Sequence, residues 1–300
     1  MMKLCRRSAG LVVSLLPLGL PSATAAPPGQ ESIPQFSYAY FAWSKVDNAF
    51  QRPPGGGPGP VISDKAHQPP GSPGHPIRIA DLNNPILKPW VIKSMQEQNA
   101  LAAAGKRAYE AHASCRPGGV PGFLVMGALN PMYIVQGPRD VVLINEGGAS
   151  VRHIYLNVPH TPHPKPSPYG ESVGWYEGST LVVDTIGLSD DTYIDNFRTP
   201  HTTQEHVVER FTVVDDPPGT RPPVHIEGMV DKGKSLQVDV RVEDPGAFNM
   251  PWNARQTYRL GIPLESLNGQ LLEASCAENN PNYIESTTVS DIPVAAKLDF

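Results

Sequence analysis

The chain has 300 residues, of which 34 are proline and 27 are glycine, and its formal net charge is −5. Proline at roughly twice its usual frequency excludes a mostly helical protein, because proline removes a helix hydrogen bond and clashes with the preceding turn, and the 40% of hydrophobic residues exclude a disordered chain. The 24 basic residues form no cluster that could follow a phosphate backbone, so we expect neither nucleic acid nor an anionic membrane as a partner.

The first residues have the pattern of a secretory signal peptide. Three basic residues precede an apolar run over residues 9–20, and small residues follow at 23–25. This run of 12 residues is too short to span a bilayer, and no later stretch has the length and apolarity of a membrane helix. We therefore predict a signal peptide over residues 1–25 and a periplasmic or secreted mature protein without membrane insertion.

Two cysteines, Cys115 and Cys276, remain after the signal peptide. In an oxidising compartment an even number of cysteines favours a disulfide, so we predict that these two are bonded to each other. The alternative is a pair of buried free thiols. Neither cysteine has partner ligands at the spacing of a zinc site, so no metal centre is expected on them.

Residues 26–85 are predicted to be a Pro/Gly-rich leader of low order, because their runs of proline and glycine suit neither a helix nor a central strand. Aromatic residues between Phe36 and Trp43 interrupt these runs, and we expect them to dock on the main body. Residues 86–300 are predicted to form a single β-rich domain. It begins with a helix that starts near Pro89, a residue suited to a first helical turn.

Short runs rich in β-branched and aromatic residues follow from residue 120 onward, separated by turn residues. The run Leu236–Val242 alternates strictly between apolar and polar residues, which is typical of a strand with one buried face. About nine strands predict a mainly β fold, namely an antiparallel barrel loosely similar to a lipocalin, with a sandwich as the alternative. The predicted strands are Met132–Gln136, Val141–Asn145, Val151–Leu156, Val173–Tyr176, Leu181–Ile186, His206–Val214, Leu236–Val242, Ala254–Leu260 and Leu271–Ala274.

Two histidines, His160 and His163, lie in a rigid segment, because five of the ten residues 159–168 are proline. Proline prevents the helix that would align their rings in a helical zinc motif. A rigid loop can still present two imidazoles to a divalent metal such as zinc, with His201 or His206 completing the site. The alternative is that both are exposed loop histidines.

Asp184 closes a strongly apolar predicted strand. A carboxylate in such a strand lies at a rim or faces a cavity, where burial raises its pKa unless a cation pairs with it. With His206 and His201, Asp184 is our candidate for acid/base chemistry on a bound small molecule. Trp175 and Tyr176 are the candidate walls of the pocket. The alternative for Asp184 is a structural ion pair with an arginine.

Other motifs point away from particular enzyme classes. Residues 170–174 read Gly-Glu-Ser-Val-Gly, the pattern of a nucleophile elbow, but no strand enters this turn and no helix leaves it, so a serine hydrolase is not expected. Glu209 also lies in an apolar run, and a structural ion pair with Arg152 or another arginine is the favoured interpretation. The sequence has no phosphate-binding glycine loop and no dinucleotide fingerprint, so we expect no nucleotide cofactor.

Four motifs are distinctive: CRPGGVP at 115–121, ESVGWYEGSTLVVDT at 171–185, HVVERF at 206–211 and EDPGAF at 243–248. Taken together they resemble a large family of uncharacterised exported bacterial proteins with no established activity. The resemblance implies a signal peptide, but it carries over no catalytic residue. This chain has Glu171 and Ser179 where many relatives have His and Asp, so any role of that histidine would be lost here.

We therefore expect an exported protein that binds a small apolar or aromatic molecule. If it is an enzyme, it acts without a cofactor by acid/base chemistry, as an isomerase, a lyase or a hydrolase. One alternative is a metal-dependent hydrolase that uses His160, His163, His201 and His206. Another is a non-catalytic binding module or an envelope module. The sequence favours no particular oligomeric state.

Overall fold

The β-strands follow one another in chain order around a closed barrel. The computed structural model describes residues 33–39, 41–55, 58–67, 79–104, 117–125, 131–145, 150–217 and 232–263. The strands are β1 (Phe41–Lys45), β2 (Met132–Gln136), β3 (Asp140–Asn145), β4 (Ser150–Leu156), β5 (Glu171–Glu177), β6 (Thr180–Ile186), β7 (His206–Asp215), β8 (Lys234–Glu243) and β9 (Trp252–Pro263). An α-helix, α1 (Pro89–Ala103), and a short 3₁₀ helix, Gly122–Leu124, lie between β1 and β2.

Eight of the nine neighbouring strand pairs are antiparallel, whereas β4 and β5 are parallel. The prediction of a mainly β barrel is confirmed for the described residues, and the sandwich alternative is excluded because the sheet closes on itself. The prediction of a wholly antiparallel sheet was wrong at β4–β5, where the two strands are parallel. Parallel neighbours cannot be joined by a tight turn, so the proline-rich connection 157–170 returns the chain to the end of the barrel at which β5 begins.

Several predicted features fall on residues outside the described ranges. These are the signal peptide over 1–25, the cysteines Cys115 and Cys276, and the strand predicted at Leu271–Ala274. Within the described ranges, no helix combines the length and the apolar character that crossing a bilayer requires.

The segment 26–85, predicted as a low-order leader, supplies β1, which pairs with both β2 and β9 and closes the barrel. The aromatic residues expected to dock on the main body include Phe36 and Trp43, and both are buried in the core. The indole Nε1 of Trp43 donates to the Phe36 carbonyl oxygen over 2.9 Å. The side-chain oxygen of Gln136 accepts from the Phe36 amide nitrogen at 2.6 Å, which fixes this segment against the end of β2.

Helix α1 begins at Pro89, as predicted, and buries a face that includes Val91 and Met95. Trp90 is 42% exposed, and its indole nitrogen donates to the Gly246 carbonyl oxygen over 2.8 Å. The helix therefore packs beside the β8–β9 connection.

Alternation along the strands separates a filled interior from a polar outer face. In β4 the residues Ser150, Arg152, Ile154 and Leu156 are buried, and the three residues between them are exposed. Because successive side chains of a strand point to opposite faces, the buried set faces the interior. Large apolar side chains from the other strands, including Phe211, pack with Ile154 in one core cluster. The interior of a barrel of this size is filled by side chains.

The short 3₁₀ helix Gly122–Leu124 is buried. Its last carbonyl groups have no partner within so short a helix, and side chains of other elements donate hydrogen bonds to them. The hydroxyl of Tyr258 donates to the Leu124 carbonyl oxygen at 2.6 Å, and the amide nitrogen of Asn196 donates to the Val125 carbonyl oxygen at 2.9 Å. The segment is thereby tied to β9 and to the β6–β7 connection.

A buried ion pair joins β4 to β7 inside the barrel. The guanidinium of Arg152 donates to both carboxylate oxygens of Glu209, at 3.0 and 2.5 Å, and the two side chains are 1% and 0% exposed. The same guanidinium donates to the hydroxyls of Ser172 in β5, at 3.1 Å, and Thr185 in β6, at 2.8 Å. One arginine therefore connects four consecutive strands, across the parallel β4–β5 boundary where only three residue pairs are in register.

We predict that Arg152→Met lowers the free energy of unfolding by about 3–5 kcal/mol, because it leaves the Glu209 carboxylate buried without a cation. The double variant with Glu209→Met should recover most of that loss, since it removes the stranded charge. Urea denaturation at neutral pH measures both effects.

The matched control is Arg210→Met, which removes an arginine from an exposed pair with Glu177 and should cost no more than about 1 kcal/mol. A double Arg152/Glu209 variant that is less stable than Arg152→Met alone would contradict the prediction.

Candidate functional site

Asp184 and His206 meet on the outer face of the barrel. In β6 the neighbours Val183 and Thr185 face the interior, so Asp184 faces outward. His206 is the first residue of the adjacent antiparallel strand β7, and its Nε2 lies 2.7 Å from the Oδ1 atom of Asp184. Both side chains are partly exposed, at 38% for His206 and 25% for Asp184. Two of the three predicted acid/base residues are thus in direct contact.

His160, from the proline-rich connection, joins the same carboxylate. Its Nε2 lies 3.3 Å from the Oδ1 atom of Asp184, and its Nδ1 lies 3.0 Å from the Oε1 atom of Glu171. Glu171 also accepts from the amide nitrogen of Thr161 at 2.7 Å and from its hydroxyl at 3.0 Å. We call Glu171, His160, Asp184 and His206 the histidine–carboxylate chain.

Gly170 allows the proline-rich connection to enter β5 next to this chain. Its φ angle is +57°, a conformation that other residues rarely adopt. A Cβ atom at this position would come within 2.4 Å of the Ile186 carbonyl oxygen. Only glycine fits this turn, and the turn places the following Glu171 at the start of β5.

Asp184 and His206 stabilise each other's charged form. The hydrogen bond from His206 lowers the pKa of Asp184, although partial burial opposes it. The hydrogen bond to Asp184 raises the pKa of His206, again against partial burial. Because ionised Asp184 can only accept, the Nε2 atom of His206 carries the proton. No described residue makes a hydrogen bond to Nδ1 of His206, so this nitrogen can exchange a proton with a molecule at the surface.

Glu171 is also held in its ionised form. Burial raises its pKa, but the hydrogen bonds from Thr161 and His160 outweigh this effect, and the pKa lies below its usual value. Glu171 therefore serves as a fixed acceptor for His160, which in turn is held against Asp184.

His201, the third predicted acid/base residue, lies in a different and buried group. Its Nε2 is 2.9 Å from the hydroxyl oxygen of Thr192, and its Nδ1 is 2.7 Å from the Oε2 atom of Glu205. Burial lowers the pKa of His201, but the hydrogen bond and the charge of Glu205 outweigh it and raise the pKa. Burial raises the pKa of Glu205 itself. His201 and Glu205 side chains are 0% exposed, so this group holds the β6–β7 connection together without access to a substrate.

Trp175 and Tyr176 lie on opposite faces of β5, because they are consecutive residues of a strand. Trp175 faces outward, and its indole nitrogen donates to the Oε1 atom of Glu177 at 2.8 Å. Tyr176 packs against the core, and its hydroxyl accepts from the amide nitrogen of Gln136 at 3.2 Å. The two aromatic side chains cannot line the same pocket.

Of the four predicted metal ligands, His160 and His206 meet at the Oδ1 atom of Asp184. His163 is exposed on the proline-rich connection and His201 is buried with Glu205, so neither joins them. Among the residues that the structure describes, no group of three or more His, Cys, Asp or Glu side chains has the arrangement of a metal site.

Two concave surfaces lie near the histidine–carboxylate chain, and a member of the chain, Glu171, lines the second of them. The first, which we call the outer groove, has a volume of about 380 Å³ and lies between residues 53–55 and the outer faces of β7, β8 and β9. Val208 lines it, stands directly opposite Asp184 in the β6–β7 register, and is two residues from His206. The second, the loop cleft, has a volume of about 330 Å³ and is lined by Glu171 and parts of β4 and the proline-rich connection.

Comparison with family models, with curated proteins and with solved structures finds no match for this chain. The class it represents is defined by the geometry of its described residues, which form a closed barrel of nine strands with one parallel strand pair and a histidine–carboxylate chain on the outer face.

No pattern in the sequence pairs His160 with Glu171 and Thr161, or His201 with Thr192 and Glu205. These contacts depend on the path of two connections that have no periodic pattern. One pattern does point to Glu171. It lies two residues before Val173 in β5, so the two side chains share the outer face, and Val173 pairs with Asp184.

We predict that NMR titration of His206 shows a raised pKa and that Asp184→Asn brings it down towards its ordinary value. Because folding raises this pKa, the folded protein binds the proton more tightly than the unfolded chain does. The stabilisation is therefore complete below a pH of about 6.5, the ordinary pKa of histidine, and is lost as the pH rises through the folded pKa. Asp140→Asn, next to His153, is the control and should leave His206 unchanged. An unaltered His206 pKa in Asp184→Asn would refute the assignment.

We predict that His201→Gln lowers the free energy of unfolding by about 2–4 kcal/mol, because it strands the buried carboxyl of Glu205 and the hydroxyl of Thr192. The titration of His206 should be unchanged in this variant. The control His153→Gln alters a half-exposed side chain and should stay within about 0.5 kcal/mol of the parent. Equal stability of the two variants in urea denaturation would show that the buried group is not structural.

Proposed function

We propose that this is an exported protein, periplasmic or secreted, that binds a small apolar or aromatic molecule in the outer groove and moves protons on it through His206 and Asp184. The observation that carries the proposal is the 2.7 Å contact between His206 Nε2 and Asp184 Oδ1 beside a groove lined by Val208. A histidine held by a carboxylate, with its second nitrogen towards solvent, is a recurrent arrangement for acid/base chemistry.

The side chains of the outer groove support an aromatic ligand. Apolar surface comes from Val208 and the two prolines of residues 53–55, and Arg210, Arg241 and Arg255 contribute to the walls. Each of these arginines is paired with a carboxylate, at 2.7, 2.5 and 2.6 Å respectively. Paired guanidinium groups present flat faces and apolar stems, which pack well against aromatic rings.

The place of binding differs from that of a lipocalin, in which the ligand lies inside the barrel. Here the interior around Arg152 and Glu209 is filled by side chains. The likeness to lipocalins that the sequence suggested is therefore proposed for the barrel shape only, and the ligand is assigned to the outer face.

In the proposed chemistry His206 is the proton carrier. Asp184 accepts a hydrogen bond from the protonated Nε2 atom, so Nδ1 is the basic atom of the ring. When Nδ1 takes a proton from the bound molecule, the carboxylate of Asp184 stabilises the resulting imidazolium. Returning the proton to another atom of the molecule completes an isomerisation, and loss of a leaving group completes an elimination. His160 and Glu171 position Asp184, and no cofactor enters these steps.

Export is supported by the pattern of residues 1–25 and by the resemblance to exported bacterial proteins. In the oxidising compartment that export implies, we propose that Cys115 and Cys276 form a disulfide. The net charge of −5 supports a small-molecule partner rather than nucleic acid.

The elimination of 5-nitrobenzisoxazole tests the proton transfer, because a base removes the ring C3 proton while the N–O bond breaks and a cyanophenolate is released. We predict turnover that rises with pH through the raised pKa of His206. His206→Gln should reduce kcat by about 100-fold, whereas His153→Gln should leave it unchanged.

Turnover no faster than that of free imidazole at the same concentration would refute the catalytic part of the proposal. Binding of the probe without turnover would identify a non-catalytic binding module. Dependence of turnover on added Zn²⁺ would instead favour the metal-dependent hydrolase.

A further inference from the structure

We propose that the loop cleft is a second binding site and that it takes a small aromatic anion, such as an aryl carboxylate. The cleft lies between the outward side chains of β4 and the connection 157–170. Its volume of about 330 Å³ is in the range of small-molecule sites. The inference does not depend on the catalytic role of His206.

The charge of the cleft favours an anion. Glu171 is the one acidic side chain among the residues that line it. Its Oε1 accepts from His160 Nδ1 and the Thr161 amide, and its Oε2 accepts from the Thr161 hydroxyl. This carboxylate is therefore occupied by its own donors and does not confront a ligand with an uncompensated charge.

Two hydrogen-bond donors of the cleft, one of them the cationic Lys165, are not engaged by any described residue. Lys165 and His163 line the cleft, and their side chains make no hydrogen bond or ion pair with any residue that the structure describes. Both project from the proline-rich connection, whose backbone is restrained by its prolines. A carboxylate between them would gain charge-assisted hydrogen bonds that no protein group supplies.

The floor of the cleft is formed by β4 and the start of β5. Arg152 lines the cleft, but its side chain points into the barrel, is 1% exposed and is paired there with Glu209, so its charge does not face the cleft. Ser172 lies beside it and is held by the Arg152 Nε atom at 3.1 Å. The floor is therefore rigid and contributes no negative charge at the surface of the cleft.

Exposed aromatic and apolar side chains in the cleft favour a ligand that contains an aromatic ring. Tyr155 is 51% exposed and Val151 is 44% exposed, although both are large hydrophobic residues that burial would favour. The ring of Tyr169 is fixed by an edge-to-face contact with Phe123, with centroids 6.0 Å apart. An aromatic ring in the cleft would cover this apolar surface and stack with tyrosine, while its anionic group reaches Lys165.

The test compares 2-naphthoate with 2-naphthamide, which has the same rings and no charge, by NMR titration of the full chain. We predict that naphthoate shifts the amide signals of Lys165, Gly170 and their neighbours and that naphthamide binds at least about 5-fold more weakly. Lys165→Gln and His163→Gln should each weaken naphthoate binding by roughly 3- to 5-fold. Lys93→Gln, an exposed lysine on α1, is the control and should bind as the parent does.

Equal binding of naphthoate and naphthamide would overturn the proposal, as would unchanged binding by the Lys165/His163 double glutamine variant. Shifts confined to residues of the outer groove would also overturn it. His206→Gln should keep full naphthoate binding in the cleft, so a failed catalytic test and a failed cleft test are told apart by this variant.

Discussion

The rest of the structure depends on the hydrogen bonds that the guanidinium of Arg152 makes inside the barrel. It binds Glu209 and two hydroxyls, and so ties β4, β5, β6 and β7 together from the inside. This tie crosses the parallel boundary between β4 and β5, where three residue pairs are in register. Burying an arginine and a glutamate is costly, and the cost is offset only when each donor and acceptor is paired. The inward hydroxyls of Ser172 and Thr185 complete that pairing and exchange a hydrogen bond of 2.9 Å between themselves.

The interior network also determines the geometry of the outer face, because strand neighbours point in opposite directions. Thr185, held by Arg152, is next to Asp184, and Ser172 is next to Glu171. Any rotation of β5 or β6 that displaced the two acids would break the buried hydrogen bonds. The candidate site is therefore built on strands with little freedom to move, and the proline-rich connection adds His160 from a restrained loop. Such a framework holds the side chains of the candidate site in place, because the groups that support it are buried.

Sequence patterns predicted the parts of this structure that depend on local periodicity. The alternation of Leu236–Val242 marked β8, and Pro89 marked the start of α1. The parallel pairing of β4 with β5 and the entry of β1 into the barrel involve residues far apart in sequence, and no local pattern encodes them. The strand period of two puts Trp175 and Tyr176 on opposite faces of β5, so only one of these two candidates can line a given pocket. His201 is the predicted acid/base residue that does not join Asp184, because its contact with Glu205 follows from the path of the β6–β7 connection, which has no periodic pattern.

The pairing of β1 with β9 has a consequence for how the chain acquires its fold. Phe41 and Pro263 are partners in the strand pair that closes the barrel, although they lie near opposite limits of the described chain. Long-range closure of this kind comes late in folding, since the intervening chain must be ordered before the ends can meet. During stepwise synthesis the barrel stays open until β9 is available to pair with β1. A ribosome stall or a cleavage before β9 would leave both edge strands uncovered, and exposed edges are the surfaces through which β-rich chains aggregate.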